Sequence, residues 1–253
     1  MGIVFTGTMS SPPSKFFSDD NPSLNIPVDA KIDSALSVNY WNNVPATVNG
    51  MLGGFAQVSR TDLRGSKGFL TKARKLVPGC PTTGKLPLGV DCGAGIGRVI
   101  EGFLQHVCDV VDAVEPVGKF SQEIQQGALA KNGVVSDVYT MGIERWVPSK
   151  KYDLIWTQWC VMYLTDAQLT EYLVRCGNML TETGILVVKD NTSNDPQEDI
   201  YDESDSSLTR TDQRLRDIFH DAGMELLLSE RQAGFPKHLN LLPVRSYAMR
   251  PRR

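Results

Sequence analysis

The residues with the clearest chemistry lie in Asp91-Cys-Gly-Ala-Gly-Ile-Gly-Arg98. An apolar run enters this stretch at Leu88, and Gly93, Gly95 and Gly97 are spaced by single residues. Glycine lets a backbone take positive φ and come close to a ligand. Val99, Ile100, Phe103, Leu104 and Val107 then recur at helical spacing. The pattern predicts a strand, a glycine turn and a helix whose unpaired N–H groups face a ligand. The next strand is expected at Val110-Val-Asp-Ala-Val-Glu115. Glu115 ends it about twenty residues past the glycines, where an acid accepts hydrogen bonds from ribose hydroxyls. A pyrophosphate would want a third glycine at position 98 for close helix–strand packing, and Arg98 stands there. A nucleoside ligand without pyrophosphate fits this turn better.

Asp91 opening a G-x-G-x-G turn resembles the first motif of the class I S-adenosylmethionine (SAM)-dependent methyltransferases. SAM has a nucleoside and no pyrophosphate; a nicotinamide cofactor is the alternative that Arg98 disfavours. Arg98 either forms a salt bridge on a helix surface or pairs with the methionine carboxylate of SAM, a bidentate task that suits arginine.

In a doubly wound sheet, ligands bind beyond the C-terminal ends of the strands. The ends available here are Glu115-Pro116-Val117, Gly142-Ile143-Glu144, Thr157-Gln158-Trp159 and Lys189-Asp190-Asn191. Ile143 beside Glu144 could flank an adenine. Trp159 is expected to face the active site, and Tyr40-Trp41 could fold over it as part of a lid. Aromatic faces hold alkyl-ammonium groups by cation–π attraction. After the fifth strand come Asp195, Glu198, Asp199, Asp202, Glu203 and Asp205. Such a loop is either simply solvated or, at the mouth of a site, an attractor of basic substrates.

The elements that must position these residues alternate as in an α/β, Rossmann-like class I methyltransferase fold. Strands are expected at about 88–92, 109–114, 136–141, 152–157 and 185–189, then 225–230 and 244–249 as a closing hairpin. The result is a seven-stranded, mostly parallel sheet with an antiparallel last strand. Helices are expected at about 97–107, 117–131, 165–180 (with Gly184 beyond its end) and 209–222. Residues 1–25 read as a flexible tail. Residues 26–87 read as an N-terminal helical extension, with helices near 32–48 (interrupted by Pro45) and 59–76. Residues 88–253 form the SAM-binding catalytic core.

The composition narrows the function classes. A chain of 253 residues suits one α/β domain with a substantial core. A formal net charge of −3 advertises neither nucleic-acid nor acidic-lipid binding. The five cysteines are scattered, with no C-x-x-C, and predict reduced thiols in a cytoplasmic or nuclear protein with no zinc site. No stretch of 18 apolar residues predicts a membrane span. Met1-Gly-Ile-Val-Phe-Thr6 fits the short myristoylation pattern, which leaves the modification of Gly2 open.

Taken in order, Tyr40-Trp41, Gly50-Met-Leu-Gly-Gly54, Asp91–Arg98, Trp156-Thr-Gln-Trp159, Leu164-Thr-Asp166, Lys189-Asp-Asn191, Asp205-Ser-Ser207 and Ser246-Tyr-Ala-Met-Arg250 resemble the eukaryotic protein α-N-terminal methyltransferases. That family methylates the free α-amine of proteins beginning X-Pro-Lys once the initiator Met is gone, converting SAM to S-adenosylhomocysteine (SAH). The resemblance implies that Gly93, Arg98, Glu115, Ile143 and Gln158 bind SAM; Asp91, Gly95, Pro116, Val117 and Glu144 are expected beside them. It also implies a peptide channel of Trp41, Leu52, Trp159, Asn191, Asp202, Asp205 and Ser207, with Tyr40 and Tyr163 at its wall. Asp205 would face the reacting amine, with Asn191 and Trp159 setting its approach and Asp202 receiving the substrate lysine. The expected partners are protein N-termini, met by a monomer.

Four positions depart from the family pattern. Tyr163 stands where a His is familiar, and a phenol of pKa about 10 cannot share proton-acceptor duty at neutral pH. Glu115 replaces an Asp, and Leu242-Pro243 replaces an expected Tyr-His. A methyltransferase for small-molecule amines and a silent SAM-binding scaffold are the alternative functions. The first would need no acidic channel.

Overall fold

The structure, a computed structural model, describes residues 27–252; the expected tail at 1–25 and Gly2 lie outside these residues. In the extension, α1 (Ser34–Asn43) starts at Asp33, whose carboxylate accepts from the amides of Ala35 and Leu36. It stops before Pro45, as expected. A single turn, α2 (Val48–Met51), precedes α3 (Ser59–Lys75). The core then runs β1 (Leu86–Cys92), α4 (Arg98–Gly102), β2 (Cys108–Val114), α5 (Gly118–Gln126), α6 (Ala128–Lys131), β3 (Val135–Tyr139) and β4 (Tyr152–Gln158). It continues with α7 (Asp166–Asn178), β5 (Leu180–Asn191), β6 (Ile200–Asp202), β7 (Ser207–Thr209), α8 (Asp212–Asp221), β8 (Met224–Arg231) and β9 (Val244–Pro251).

The seven-stranded sheet has the order β3-β2-β1-β4-β5-β9-β8. The first five strands pair in parallel, and β9 runs antiparallel between β5 and β8. Apolar side chains pack on both faces, one set around Tyr152, Tyr172 and Tyr247 and the other around Phe69, Phe103 and Trp156. The register places the site. Cys92 lies opposite Val114 on one side and Thr157 on the other, and Thr157 lies opposite Val188. Gly93, Glu115, Gln158 and Lys189 therefore leave four adjacent strands in one row.

Several expected boundaries shift for identifiable reasons. The predicted helix at 97–107 is a short α-helix followed by a 3-10 turn at Leu104–His106. The one at 117–131 breaks at Gly127. α7 starts with a Thr165/Gln168 capping box and ends at Met179. Gly184 does not cap it but lies inside β5, because Leu180 is already paired with Tyr152. The acidic loop is a small antiparallel ribbon of β6 and β7, so Thr209 is a strand residue and α8 starts later, capped by Thr211. That ribbon holds the extension: the Asp33 amide donates to Ser206 Oγ at 2.8 Å, and Tyr201 Oη donates to the Lys31 carbonyl at 2.9 Å.

Candidate active site

A cavity of about 610 Å³ opens where the row of strand ends meets the extension. Its walls include Gly93, Gly95, Glu115, Pro116, Val117, Ile143, Glu144, Trp41 and Tyr163. All nine belong to the two sets expected at the cofactor and the substrate, and Tyr163 among them is the position of the missing His. Gly95 has φ +57°, and a Cβ there would lie 2.8 Å from Met51 Sδ. The left-handed backbone favours glycine here, and the Met51 side chain of α2 lies directly against the turn. Met51, quoted in the sequence only within the Gly50–Gly54 motif and given no role there, is part of the wall.

Glu115 is buried and organises the turn. One carboxylate oxygen accepts from the Gly95 amide at 2.8 Å and the other from the Val117 amide at 2.9 Å. Burial raises this carboxyl, against those two amides. Each oxygen keeps a further lone pair, so the pair can still accept from two vicinal hydroxyls. Asp91 is buried behind the turn, and neither carboxylate oxygen has a hydrogen-bond partner. A buried anion without a partner is costly, and an adjacent ligand ammonium would relieve that cost. The residues present thus fit a cofactor carrying a ribose and an amino-acid group.

Burial pushes the Asp91 carboxyl up to about 7, with Arg98 opposing and Glu115 adding. The unfolded carboxyl titrates near about 3.9. Between these values the folded chain keeps a proton that the unfolded chain releases. The stability this proton gives is full below the unfolded value and is lost as pH rises through about 7. Asp91→Asn is expected to raise the melting temperature of the ligand-free protein at pH 8, with the gain vanishing near pH 4. An unchanged melting temperature at pH 8 contradicts this account of Asp91.

Arg98 and Gln158 are placed differently from the remaining cofactor set. They line a separate cavity of about 20 Å³ with Gly93, Gly95 and Trp159. Arg98 does form a salt bridge, but in the interior, to Asp62 of α3 at 2.9 Å. Gln158 donates to both oxygens of the same carboxylate. Lys189, near the C-terminal end of β5, is turned the same way: its Nζ lies 2.6 Å from Asp62 Oδ1, so it does not project toward a ligand. Glu144 borders the large cavity and pairs with Arg145 at 3.3 Å.

On the substrate side Tyr40, Trp41, Tyr163, Asp202 and Asp205 gather. Trp41 Nε1 donates to Tyr163 Oη at 3.0 Å. Tyr163 Oη donates to Asp205 Oδ2 at 2.7 Å. Indole N–H can only donate, so the phenol proton must point at Asp205. Asp205 is 6% exposed, and its other oxygen, Oδ1, is buried without a hydrogen-bond partner. Burial raises the Asp205 carboxyl above the usual range, with the Asp202 charge adding and Ser207 and Tyr163 opposing. Burial likewise pushes the Tyr163 phenol well above its ordinary value, with Asp205 reinforcing it. Tyr40 is 38% exposed at the edge, its phenol raised by burial and then by Asp205 and Asp202.

Of the six acids predicted at the mouth, Asp199 instead binds Arg214 and accepts from the Thr211 amide. Asp195 caps its own turn through the Gln197 amide at 2.8 Å. Asp202 accepts from the Ser204 amide at 2.8 Å and stays near Tyr40. Leu52, Trp159, Asn191 and Ser207 are buried and do not border the large cavity. Leu52 and Trp159 pack with Val58, Val244 and the half-buried Phe55, Phe235, Leu239 and Leu241. Trp159 has φ +53°, a strained setting for a bulky residue, and its buried Nε1 has no hydrogen-bond partner. Of the departing pair, Leu242 is buried, and the Pro243 carbonyl accepts from the Thr192 amide at 2.7 Å.

The family of AdoMet-dependent proline dimethyltransferases matches residues 29–250. The chain belongs to this family. Among its relatives, the alpha N-terminal protein methyltransferase 1 of Schizosaccharomyces pombe is 37% identical over 244 residues, covering 94% of this chain and 98% of its own. The N-terminal Xaa-Pro-Lys N-methyltransferase 1-B of Xenopus laevis is 39% identical over 213 residues, covering 84% and 92%. A solved SAM-dependent methyltransferase from Leishmania major superposes with a TM-score of 0.76 at 33% identity, over 85% of this chain and 82% of that one. As a member of that family, the chain is a SAM-dependent methyltransferase on the Rossmann-like methyltransferase fold. Among its described residues no helix is long and apolar enough to cross a membrane.

Proposed function

We propose that this chain methylates the free α-amine of proteins beginning X-Pro-Lys, with the cofactor in the large cavity and the reacting amine at Asp205. The observation that carries the reading is the orphaned Oδ1 of Asp205, held at the end of a donor chain from Trp41 through Tyr163. The relatives named for alpha N-terminal and Xaa-Pro-Lys N-methylation support it.

Glu115 would hold the ribose hydroxyls, Asp91 the cofactor ammonium and Arg98 its carboxylate, with Ile143 and Glu144 at the base. Bound SAM supplies an electrophilic methyl carbon on a sulfonium. The protein must present an unprotonated nitrogen in line with it. An α-amine of pKa about 8 costs about 1.4 kcal/mol to deprotonate at pH 7, whereas a lysine amine costs about 4.6 kcal/mol. A carboxylate is base enough for the first. Asp205 Oδ1 takes the amine proton, directly or through one water, and Tyr163 holds the carboxylate still. Trp159 and Asn191 set the approach, Tyr40 and Trp41 cover the amine, and Asp202 receives the lysine at the mouth. Exclusion of water and fixed geometry then contribute most of the acceleration.

The five cysteines are buried free thiols, which suits a reducing cytoplasmic or nuclear compartment. Methyl transfer to an X-Pro-Lys hexapeptide, set against simple alkylamines at equal concentration, tests the reading. The peptide is expected to gain methyl groups and the amines none. Methylation of the amines alone would favour the small-molecule reading.

A further inference from the structure

We propose that Asp62, on the N-terminal extension, is a positioning residue of the cofactor site, holding Arg98 and Gln158 where a ligand carboxylate can reach them. The proposal rests on the reading of Arg98 as the partner of the cofactor's carboxylate.

Donors from three core elements converge on this one side chain. Arg98 of α4 lies 2.9 Å from Oδ2, Gln158 of β4 lies 3.0 Å from Oδ2, and Lys189 of β5 lies 2.6 Å from Oδ1. Asp62 is 0% exposed. Burial alone would raise its carboxyl, but Lys189 and Arg98 together bring it below the usual range. The two cations are not equivalent. Lys189 Nζ also reaches Ser66 Oγ and Gln232 Oε1, both at 2.9 Å, and the Asp62 carbonyl at 3.1 Å, which leaves none of its three protons for a ligand. Arg98 borders the small cavity beside Gly93, Gly95 and Gln158. Its guanidinium is fixed on the other sides by Ser59 Oγ at 3.2 Å and by the Trp159 ring, with 5.5 Å to the centroid.

Two cations thus share one anion, and among the described residues the only ion pair of Arg98 is with Asp62. The surplus positive charge sits at the Arg98 end, next to the glycine turn. A ligand carboxylate there would complete the pairing that a buried charge requires. The extension is therefore more than a cover for the site. It supplies the anion that orients the cofactor's carboxylate partner.

The test is calorimetric binding of SAM and of decarboxylated SAM, which lacks only the carboxylate. The wild type is expected to prefer SAM. Asp62→Asn keeps the shape and loses the charge. It is expected to weaken SAM by about 10-fold or more while changing the decarboxylated form by less than about threefold. Arg98→Ala should show the same selective loss, and Lys189→Met should lower the melting temperature yet retain the preference. If Asp62→Asn fails to fold, Asp62→Glu, with its charge displaced by a methylene, should show the selective loss at smaller size. A preference lost in Arg98→Ala but intact in the Asp62 variant overturns the positioning role. So does a preference lost equally in Lys189→Met, which would make the cluster merely structural. A preference intact in Arg98→Ala instead removes the reading of Arg98, and the proposal with it.

Discussion

Asp205→Asn is expected to lower kcat by about 10²–10⁴-fold while leaving peptide affinity within about threefold, the usual range for removing a general base. The substitution isolates the proton-accepting step. Asparagine has the same shape, and its carbonyl can still accept from Tyr163, so the 2.7 Å contact and the position of Trp41 are preserved. Only the proton acceptor at Oδ1 is lost. Tyr163 cannot stand in for it: its proton is committed to Asp205, its phenol is raised, and its lone pair already accepts from Trp41. The same geometry fixes the pH dependence. Asp205 must be ionised, and the substrate amine must lose its proton. Since burial raises Asp205 above the usual carboxylate range, protonation on the acid side removes the base earlier than for an ordinary Asp. Activity should therefore climb through the α-amine range near about 8, with no limb near about 6.5 contributed by position 163. Steady-state kinetics and peptide calorimetry across pH 5–9 check both. Near-normal turnover in Asp205→Asn would remove Asp205 from the chemistry.

Glu115→Ala is expected to weaken SAH binding by about 10²–10³-fold. Two ribose hydroxyls would lose charged acceptors, each worth about 1.5–3 kcal/mol. The amides of Gly95 and Val117 would lose theirs as well, which loosens the turn that approaches the ligand. Glu115→Gln should fall between the two, since it keeps one acceptor and lacks the charge. Calorimetric titration with SAH reads the effect directly. Binding within about threefold of wild type would place the ribose elsewhere.

The site was legible wherever a local pattern dictated backbone geometry. The alternating glycines and Glu115 fixed a strand, a turn and an acceptor, and the parallel register then brought Gln158 and Lys189 into the same row. Motif order placed Trp41, Tyr163 and Asp205, and the structure joins the three by hydrogen bonds. What stayed hidden depends on pairings across long sequence separations. Asp62 sits in a helix whose composition reads as polar surface; only the spacing of Asp62, Ser66, Phe69, Leu70 and Ala73 marks its buried stripe. Asp199 looked like one more solvated acid, but Arg214 lies fifteen residues on and claims it. The β6–β7 ribbon has three residues per strand, too few to establish a period. Lys189 counted among the strand ends open to a ligand, and only its pairing with Asp62, 127 residues away in sequence, turns it inward.

The central claim is that the reacting group is a free peptide α-amine. Mass spectrometry of an X-Pro-Lys hexapeptide incubated with the protein and SAM, beside an N-acetylated copy, tests it most directly. The free peptide is expected to gain methyl groups and the acetylated one none, because only the free terminus offers an amine that Asp205 can deprotonate. Methylation of the acetylated peptide, whose remaining amine is the lysine side chain, would contradict it.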